Sequence, residues 1–464
     1  MKLVIIGGGP GGYETAIRAA QMGAEVTLIE KNSLGGTCLN VGCIPTKALL
    51  HSADLYHEIK ADAKKNGILV EGITIDFPAM QAKKAKVVKQ LVNGVGALMK
   101  ANGITVMKGT AVFTAKDKIE VRTEDSAEEV TFDKCIIASG SIPSVVPLPG
   151  HDLDGVVDST GALSFEEIPE SLAIIGGGVI GIEMAHVYQR LGTKVTVIEM
   201  LPEILINLDK DVVAVQRKLM RRAKIDVLTD TKVGSIEKVD DGLKVNVTDP
   251  EGNEKAVIAK KVLMCVGRRP ATADMGLEEI GIEMERGRIL VDETFKTSVD
   301  NIYAIGDCIG GIMLAHTASA EGAACVEGLM GKKSELNLKV VPSCVYTYPE
   351  MSGVGLTEQE CEKEGLDYQT GTFPLGGNGK SLIIGDQNGL VKIIADKATG
   401  KIIGMHMMGP GATELIMEGA LAITMGATVE NIINTIHAHP TVGESVKEAA
   451  ESVFGNPINM PPIR

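Results

Sequence analysis

Tryptophan is absent from this 464-residue chain, and all aromatic residues together make up 3% of it. The cores must therefore be built from Val, Ile, Leu, Ala and Met, with the 20 methionines filling irregular gaps. The same scarcity argues against stacking on nucleic-acid bases. Basic residues number 46 against 60 acidic ones, a formal net charge of −14. That balance excludes a broad electrostatic face for nucleic acid or an anionic membrane, though not a local basic pocket for phosphate. No run of about 18 apolar residues occurs, so no membrane-spanning helix is expected. Residues 1–12 lack a basic leader and an Ala-x-Ala site; no signal peptide is read there, and a cytoplasmic location is expected. Cysteine is sparse too. Eight cysteines in this length cannot form a disulfide scaffold. Six stand singly, at 135, 265, 308, 325, 344 and 361, and read as small buried hydrophobes. No second Cys/His pair lies at ligand spacing, so no metal is expected.

Glycine is plentiful, at 54 residues, and it is ordered. Residues 3–30 align without a gap on residues 172–199, with 14 of the 28 positions identical. The matches include Gly7/Gly176, Gly9/Gly178, Gly12/Gly181, Glu14/Glu183 and Glu30/Glu199. Two units of one design thus share the chain. Each reads as an apolar strand, a Gly-x-Gly-x-x-Gly turn, a helix (13–22 in the first copy, ended by Gly23) and a second strand closing on glutamate. A lone glycine motif is weak evidence; this whole order, seen twice, predicts two Rossmann-like dinucleotide sites. The first glycine makes the turn, the second admits a pyrophosphate, and the third lets helix and strand pack closely. The helix N-terminus offers free N–H groups to phosphate. Glu30 and Glu199 can each accept from ribose hydroxyls. A carboxylate there repels a 2′-phosphate, which points to NAD rather than NADP at the second site.

The length suggests about three domains. Residues 60–100 carry helical Lys/Ala/Val patterns, read as a coiled pair, and strands follow at 104–122 and 130–138. The Ser139-Gly140 and Pro143 turns leave the first unit, and the strand at 262–266 ends in Gly267-Arg-Arg-Pro270. Another buried strand ends at Gly306-Asp307. The second unit therefore reads as inserted in the first, with boundaries 1–147, 148–269 and 270–338. From 339 to 464 strands (391–395, 402–408) and helices (412–424, 429–436) give an α+β third domain.

Cys38 and Cys43 stand in Gly35-Gly36-Thr37-Cys38-Leu-Asn-Val-Gly42-Cys43-Ile-Pro45-Thr-Lys47. In a regular helix residues five apart lie ~8–9 Å apart at Cα, beyond the about 7 Å a disulfide allows. The two can pair only if the segment is distorted, and Gly42 supplies that freedom. Pro45 suits a first helical turn, so Cys43 falls near a helix N-terminus, where a thiolate is favoured. The alternative is two inert cysteines. Lys47, one turn on, can set a cation beside the thiol or remain a solvated lysine. Glu183 is a candidate partner for it, although Glu14 at the matching place leaves a purely structural role open for both. In His437-Ala-His439-Pro440-Thr-Val-Gly-Glu444, a turn at Pro440 can bring His439 to Glu444 as a carboxylate-oriented base, or the histidine can be structural.

Taken together, GGTCLNVGCIPTKAL, the twin fingerprints, IYAIGD, VYTYPEMSGVGLTE and HAHPTVGE make the chain resemble the flavoprotein disulfide reductase family over essentially its whole length. The resemblance implies an α/β fold of two Rossmann-like domains, the NAD domain inserted in the FAD domain, plus a C-terminal α+β dimerisation domain. It implies FAD on Gly7, Gly9, Gly12, Glu30, Gly36 and Thr37, with further contacts from Lys47, Ala111, Ser139, Gly140, Asp307 and Ala315. It implies NAD on Gly176, Gly178, Gly181, Glu199, Val233 and Gly267, within the stretch 265–268. Cys38 and Cys43 would form the redox disulfide, Cys43 facing the flavin and Cys38 meeting substrate. Lys47 with Glu183 would stand near flavin N5. His439, oriented by Glu444, would be the acid/base across a homodimer interface. The substrate implied is dihydrolipoamide on a lipoyl-bearing protein of a 2-oxo acid dehydrogenase or glycine cleavage system. Relatives using mercury or glutathione fit less well: no cysteine follows Cys361, and Glu199 stands where NADP enzymes carry basic residues. A non-catalytic flavin-binding redox sensor would not need the His439–Glu444 pair. Asn378-Gly-Lys380-Ser381 and the proline-rich tail 457–464 depart from the family's pattern.

Overall fold

In this computed structural model, which describes residues 1–461, the two repeated units build two parallel sheets; the end of the proline-rich tail lies outside the described residues. In the first sheet, strand Lys2–Ile6 lies between Glu25–Glu30 and Lys134–Ile137, with Thr105–Lys108 and Ile302–Ala304 at the edges. In the second, Ser171–Ile175 lies between Lys194–Ile198 and Lys261–Met264, with Asp226–Leu228 and Val156–Val157 outside. The registers correspond: Leu3 faces Val26 and Leu172 faces Val195. Both central strands are apolar because helices and a second layer cover both their faces.

Each sheet also carries a three-stranded antiparallel meander. The first comprises Thr110–Ala115, Lys118–Arg122 and Ala127–Thr131; the second Lys232–Val239, Gly242–Thr248 and Glu254–Ala259. Strand Ile302–Ala304 returns to the first sheet beside Cys135–Ile137. The outgoing stretch Ser141–Pro143 pairs antiparallel with the incoming Arg268–Pro270. A third, five-stranded antiparallel sheet runs Ser343–Val345, Glu350–Gly355, Ile402–Gly409, Leu390–Asp396, Tyr368–Pro374 and is covered by helices Ala412–Met425 and Glu444–Val453. Met351, Met405, Met407 and Met408 are buried there, consistent with methionine filling a core poor in aromatics.

Two expectations need correction. The range 60–100 does not contain a coiled pair. It holds one long helix, Phe77–Ala101, capped by Asp76. Gly67 and Gly72, at φ +75° and +74°, break the chain before it, and it packs chiefly on helix Cys43–His57 and also on helices Pro10–Gln21 and Gly36–Val41. The first fingerprint helix begins at Pro10, not at residue 13. Proline at the first helical position has no N–H to satisfy, so the helix starts inside the glycine motif. Among the described residues no helix is long and apolar enough to cross a membrane.

Candidate active site

The two glycine motifs solve one steric problem in the same way. Gly7 and Gly176 turn at φ +106° and +113°, a backbone state that only glycine adopts without strain. A Cβ on Gly12 would fall 1.8 Å from the Gly7 carbonyl oxygen, and one on Gly181 would fall 2.2 Å from that of Gly176. The third glycine is therefore required by helix-on-strand packing. The middle glycine differs: a Cβ on Gly178 would meet nothing within 4 Å among the described residues, and one on Gly9 only Gly36 Cα at 3.8 Å. That leaves the helix N-terminus open to a close-approaching anion. Glu30 Oε2 accepts from Gly8 N and Glu199 Oε2 from Gly177 N, each at 2.6 Å. Both second strands thus end in a carboxylate held beside its fingerprint. These features fit a dinucleotide pyrophosphate and ribose at each site.

Around the first motif the chain brings together residues far apart in sequence. Gly7 abuts Ala138 and Ser139, and Gly36 abuts Gly9. Asp307, on the short turn Gly306–Ile309, accepts from Ser141 Oγ, and Arg268 Nε donates to the same hydroxyl at 2.7 Å. Ala315 opens helix Ala315–Leu329, which packs on the fingerprint helix. Ser139 Oγ is buried without a partner among the described residues, an acceptor and donor left for a bound group. Ala111 lies on the first meander and Val233 on the second.

The dithiol sits where two helices meet. Gly35, left-handed at φ +89°, starts Gly36–Val41, which places Thr37 and Cys38 in its first turn. Gly42 breaks the path at φ −138°, ψ −112°, and Cys43 begins helix Cys43–His57. A Cβ at Gly42 would meet Thr37 O at 2.9 Å, so glycine is needed for this tight turn. The break does what a continuous helix cannot: the side chains of Cys38 and Cys43 come within hydrogen-bonding reach. Both are free thiols. The hydrogen bond from Cys38 is the largest cause that lowers Cys43 to about 7; partial desolvation opposes it and the Lys47 ammonium adds to it. Cys38 is pushed strongly upward, by that same bond and by burial. Both shifts favour an anion on Cys43 over one on Cys38.

Lys47 Nζ lies 2.8 Å from Glu183 Oε2, the glutamate being only 4% exposed. Glu14, its counterpart in the first repeat, is exposed and bonds to Tyr13. The two copies have diverged here. Tyr346 joins the pair without having been foreseen: its N–H donates to Glu183 Oε1 at 2.9 Å, and its ring centre lies 4.4 Å from Lys47 Nζ. The VYTYPE stretch is conspicuous in the sequence, but nothing local assigns it a contact 163 residues away.

His439 Nδ1 lies 2.9 Å from Glu444 Oε1, while Glu444 Oε2 accepts from Thr441 N at 2.9 Å. One carboxylate thus clamps both the Pro440 turn and the ring. Burial raises the Glu444 carboxyl, but the bonds from Thr441 and His439 outweigh it and hold the group below the usual range. The His439 ring is 79% exposed, leaving Nε2 free toward solvent. A second pair unforeseen in the sequence, His437 with Glu418 at 3.0 Å, anchors the same loop. Within one chain, the charges acting on Cys43 come from Lys47 and then Glu183, and those acting on Cys38 from Cys43 and then Lys47; His439 is among neither. Among the described residues no His/Cys/Asp/Glu group is placed to hold a metal ion.

Comparison with known proteins bears directly on this site. Residues 1–322 match the pyridine nucleotide-disulphide oxidoreductase family, and residues 341–450 match that family's dimerisation domain. The chain is 45% identical to a dihydrolipoyl dehydrogenase of Arabidopsis thaliana, over 99% of this chain and 91% of the relative. It is 44% identical to a dihydrolipoyl dehydrogenase of Geobacillus stearothermophilus, over 99% and 97%. Among solved structures, the HOCl-induced flavoprotein disulfide reductase RclA of Escherichia coli superposes with a TM-score of 0.86 at 30% identity, covering 97% of this chain and 99% of that one.

Proposed function

The chain belongs to the pyridine nucleotide-disulphide oxidoreductase family, and from that premise we propose that it is a dihydrolipoyl dehydrogenase, an FAD enzyme that oxidises protein-bound dihydrolipoamide and reduces NAD. The observation that carries the reading is the geometry of the dithiol: the Gly42 break sets Cys43 at the head of a helix beside Cys38, and the next turn of that helix presents Lys47 paired to Glu183.

In this reading Cys38 and Cys43 are bonded in the oxidised protein. His439, held by Glu444, takes a proton from one substrate thiol. The resulting thiolate attacks Cys38 Sγ, and the Cys38–Cys43 bond breaks, leaving the electron pair on Cys43. The second substrate thiol then attacks the sulfur bonded to Cys38, and its proton passes to the departing Cys38 sulfur. The substrate leaves as a cyclic disulfide, and the protein keeps two electrons as a dithiol. Lys47 neutralises the Cys43 thiolate, and Glu183 with Tyr346 holds Lys47 in place. FAD, when bound, supplies a two-electron relay from Cys43 to NAD. Gly7, Gly9, Gly12, Glu30, Gly36, Thr37, Ser139, Gly140, Asp307 and Ala315 would hold it, with Ala111 and Lys47. Gly176, Gly178, Gly181, Glu199, Val233 and Gly267 would hold NAD.

We read 1–147 with 270–338 as the FAD-binding domain, 148–269 as the inserted NAD domain and 339–464 as the interface domain. A homodimer is supported by the match to a dimerisation domain. The exposure of His439, away from the charges felt by its own chain's thiols, is what a base serving a second copy requires. The partner would be a lipoyl-bearing protein, and a cytoplasmic location remains part of the proposal. The test is NAD reduction by the purified yellow protein, with dihydrolipoamide, glutathione and NADP in parallel. Activity with dihydrolipoamide and NAD, lost in Cys38→Ser while FAD stays bound, is expected. A colourless preparation, or preference for glutathione and NADP, would contradict the reading.

A further inference from the structure

Beyond Lys47 and Glu183 the same two helices carry a second charged cluster that the proposed chemistry leaves unused. Helix Cys43–His57 packs along helix Val179–Leu191. Seven residues beyond Lys47 and Glu183, hence on the same faces and roughly 10 Å further along the axes, Asp54 meets Arg190 at 3.0 Å. The charges are exchanged between the two levels. The cation belongs to the first helix at one level and to the second helix at the other. The segment 346–348 gives each level an aromatic ring. Lys47 Nζ lies 4.4 Å from the centre of Tyr346, and the Arg190 guanidinium lies 4.4 Å from the centre of Tyr348. His186 completes the outer level: Arg190 Nε donates to its Nε2 at 2.7 Å, and Asp54 Oδ1 lies 3.3 Å from that nitrogen.

The internal repeat provides a comparison. The places of Glu183, His186 and Arg190 are held in the first copy by Glu14, Ile17 and Gln21. There Glu14 and Gln21 are exposed, and that helix packs on Ala315–Leu329 instead. The second copy thus departs from the first where it meets the helix bearing Cys43. A buried ion pair is weak evidence for stability alone, but it can fix register between elements. Arg190, 7% exposed, suits that task because its Nε reaches both Asp54 and His186 while the guanidinium plane stacks on Tyr348; its Nη1 is buried without a partner among the described residues. The other charged or titratable groups facing the cluster are His57, Glu58, Asp62, Glu183 and Asp386.

We propose that Asp54, His186, Arg190 and Tyr348 are positioning residues for Cys43. Pinned at two levels, the Cys43 helix can neither slide nor turn against Val179–Leu191, and Lys47 is held where its charge acts on the thiol. Of the pair, Lys47 acts on Cys43 more strongly than Glu183 does, so loosening both disfavours the thiolate. Removing the Asp54 carboxylate acts directly in the opposite sense, by favouring an anion, so the sign of the effect separates register from simple charge.

The inference rests on the functional reading in that Cys43 is taken as the thiol beside the flavin. The test is the pH midpoint of the long-wavelength thiolate–flavin absorbance in Cys38→Ser holoprotein. Adding Asp54→Asn or Tyr348→Leu is expected to raise the midpoint, lowering the proton concentration there at least about threefold. His186→Leu should do the same, while His186→Gln, which keeps an acceptor for Arg190, should restore the parent midpoint. Midpoints unchanged or lowered in Asp54→Asn and Tyr348→Leu overturn the proposal. Should Asp54→Asn lose its flavin, Tyr348→Leu and His186→Leu, which leave that ion pair's charges in place, decide the matter: a raised midpoint supports the proposal and an unchanged or lowered one overturns it. Absence of the band in the Cys38→Ser parent would count against the functional reading instead. Register is then judged, by the same direction of shift, from the pH midpoint of iodoacetamide labelling at Cys43.

Discussion

Replacing Glu444 by Gln removes one charge and leaves the shape of the His439 turn. The amide can still accept from Thr441 N or from the ring, bonds that now measure 2.9 Å each. What is lost is the attraction between carboxylate and imidazolium once His439 has taken a proton from substrate. With charge centres ~4 Å apart that attraction is about 1 kcal/mol in water and about 4 kcal/mol at the effective dielectric of a protein surface. A ring 79% exposed in one chain belongs near the lower end, and about 1–2 kcal/mol corresponds to a ~5–30-fold fall in rate. His439→Ala removes the base itself and should cost ~10²–10⁴-fold. The assay is kcat/KM for dihydrolipoamide with NAD, run beside NADH oxidation by ferricyanide, which needs no proton from a dithiol. Both variants should lose the first activity and keep the second. Equal losses in the two assays would show a general structural defect. No loss in the first would refute the base assignment.

Other outcomes follow from the same geometry. Burial raises the Asp386 carboxyl to about 6, with the Asn388 N–H and Arg190 opposing. A carboxyl raised on folding destabilises the fold above its folded value and ceases to do so below its usual one. Asp386→Asn should therefore raise the melting temperature at pH 7.5, by an amount equivalent to about 1–3 kcal/mol, and the gain should vanish near pH 4, as a scan across that window would show. A thiol lowered to about 7 keeps its anion above that pH and loses it below. The thiolate–flavin absorbance of the reduced protein should accordingly fade as pH falls through about 7, and Lys47→Met should move that midpoint upward. Gly178→Ala meets open space, whereas Gly181→Ala puts a Cβ 2.2 Å from Gly176 O and 2.9 Å from Cys265 Sγ. The first should keep melting temperature and flavin content but raise KM for NAD; the second should destabilise the domain.

Much of this site is legible in the sequence. Glycine positions speak plainly there because backbone turns and close packing admit no other residue, and the repeat doubles the signal. The Gly42 break and the His439–Glu444 turn are local features, and local spacing anticipates them. Lys47 and Glu183 lie 136 residues apart, and the repeat offers Glu14 as an equal candidate. Only packing of one helix, and not its twin, against Cys43–His57 separates them. The contacts of Tyr346, Tyr348, Asp54, His186 and Arg190 leave no local trace, since they join segments that meet only in the folded chain. The second meander goes unread for another reason: strand Lys232–Val239 is largely exposed or half-buried, so it lacks a run of apolar residues to mark it.

Counting thiols probes the redox pair itself. Oxidised holoprotein is alkylated under denaturing conditions before and after one equivalent of dihydrolipoamide without NAD, and the labelled cysteines are mapped by mass. Cys38 and Cys43 should be protected at first and become labelled together after reduction, with the six other cysteines labelled throughout. Labelling of Cys38 and Cys43 in the untreated holoprotein, or their unchanged protection after dihydrolipoamide, would rule out a disulfide at these positions as the acceptor of substrate electrons.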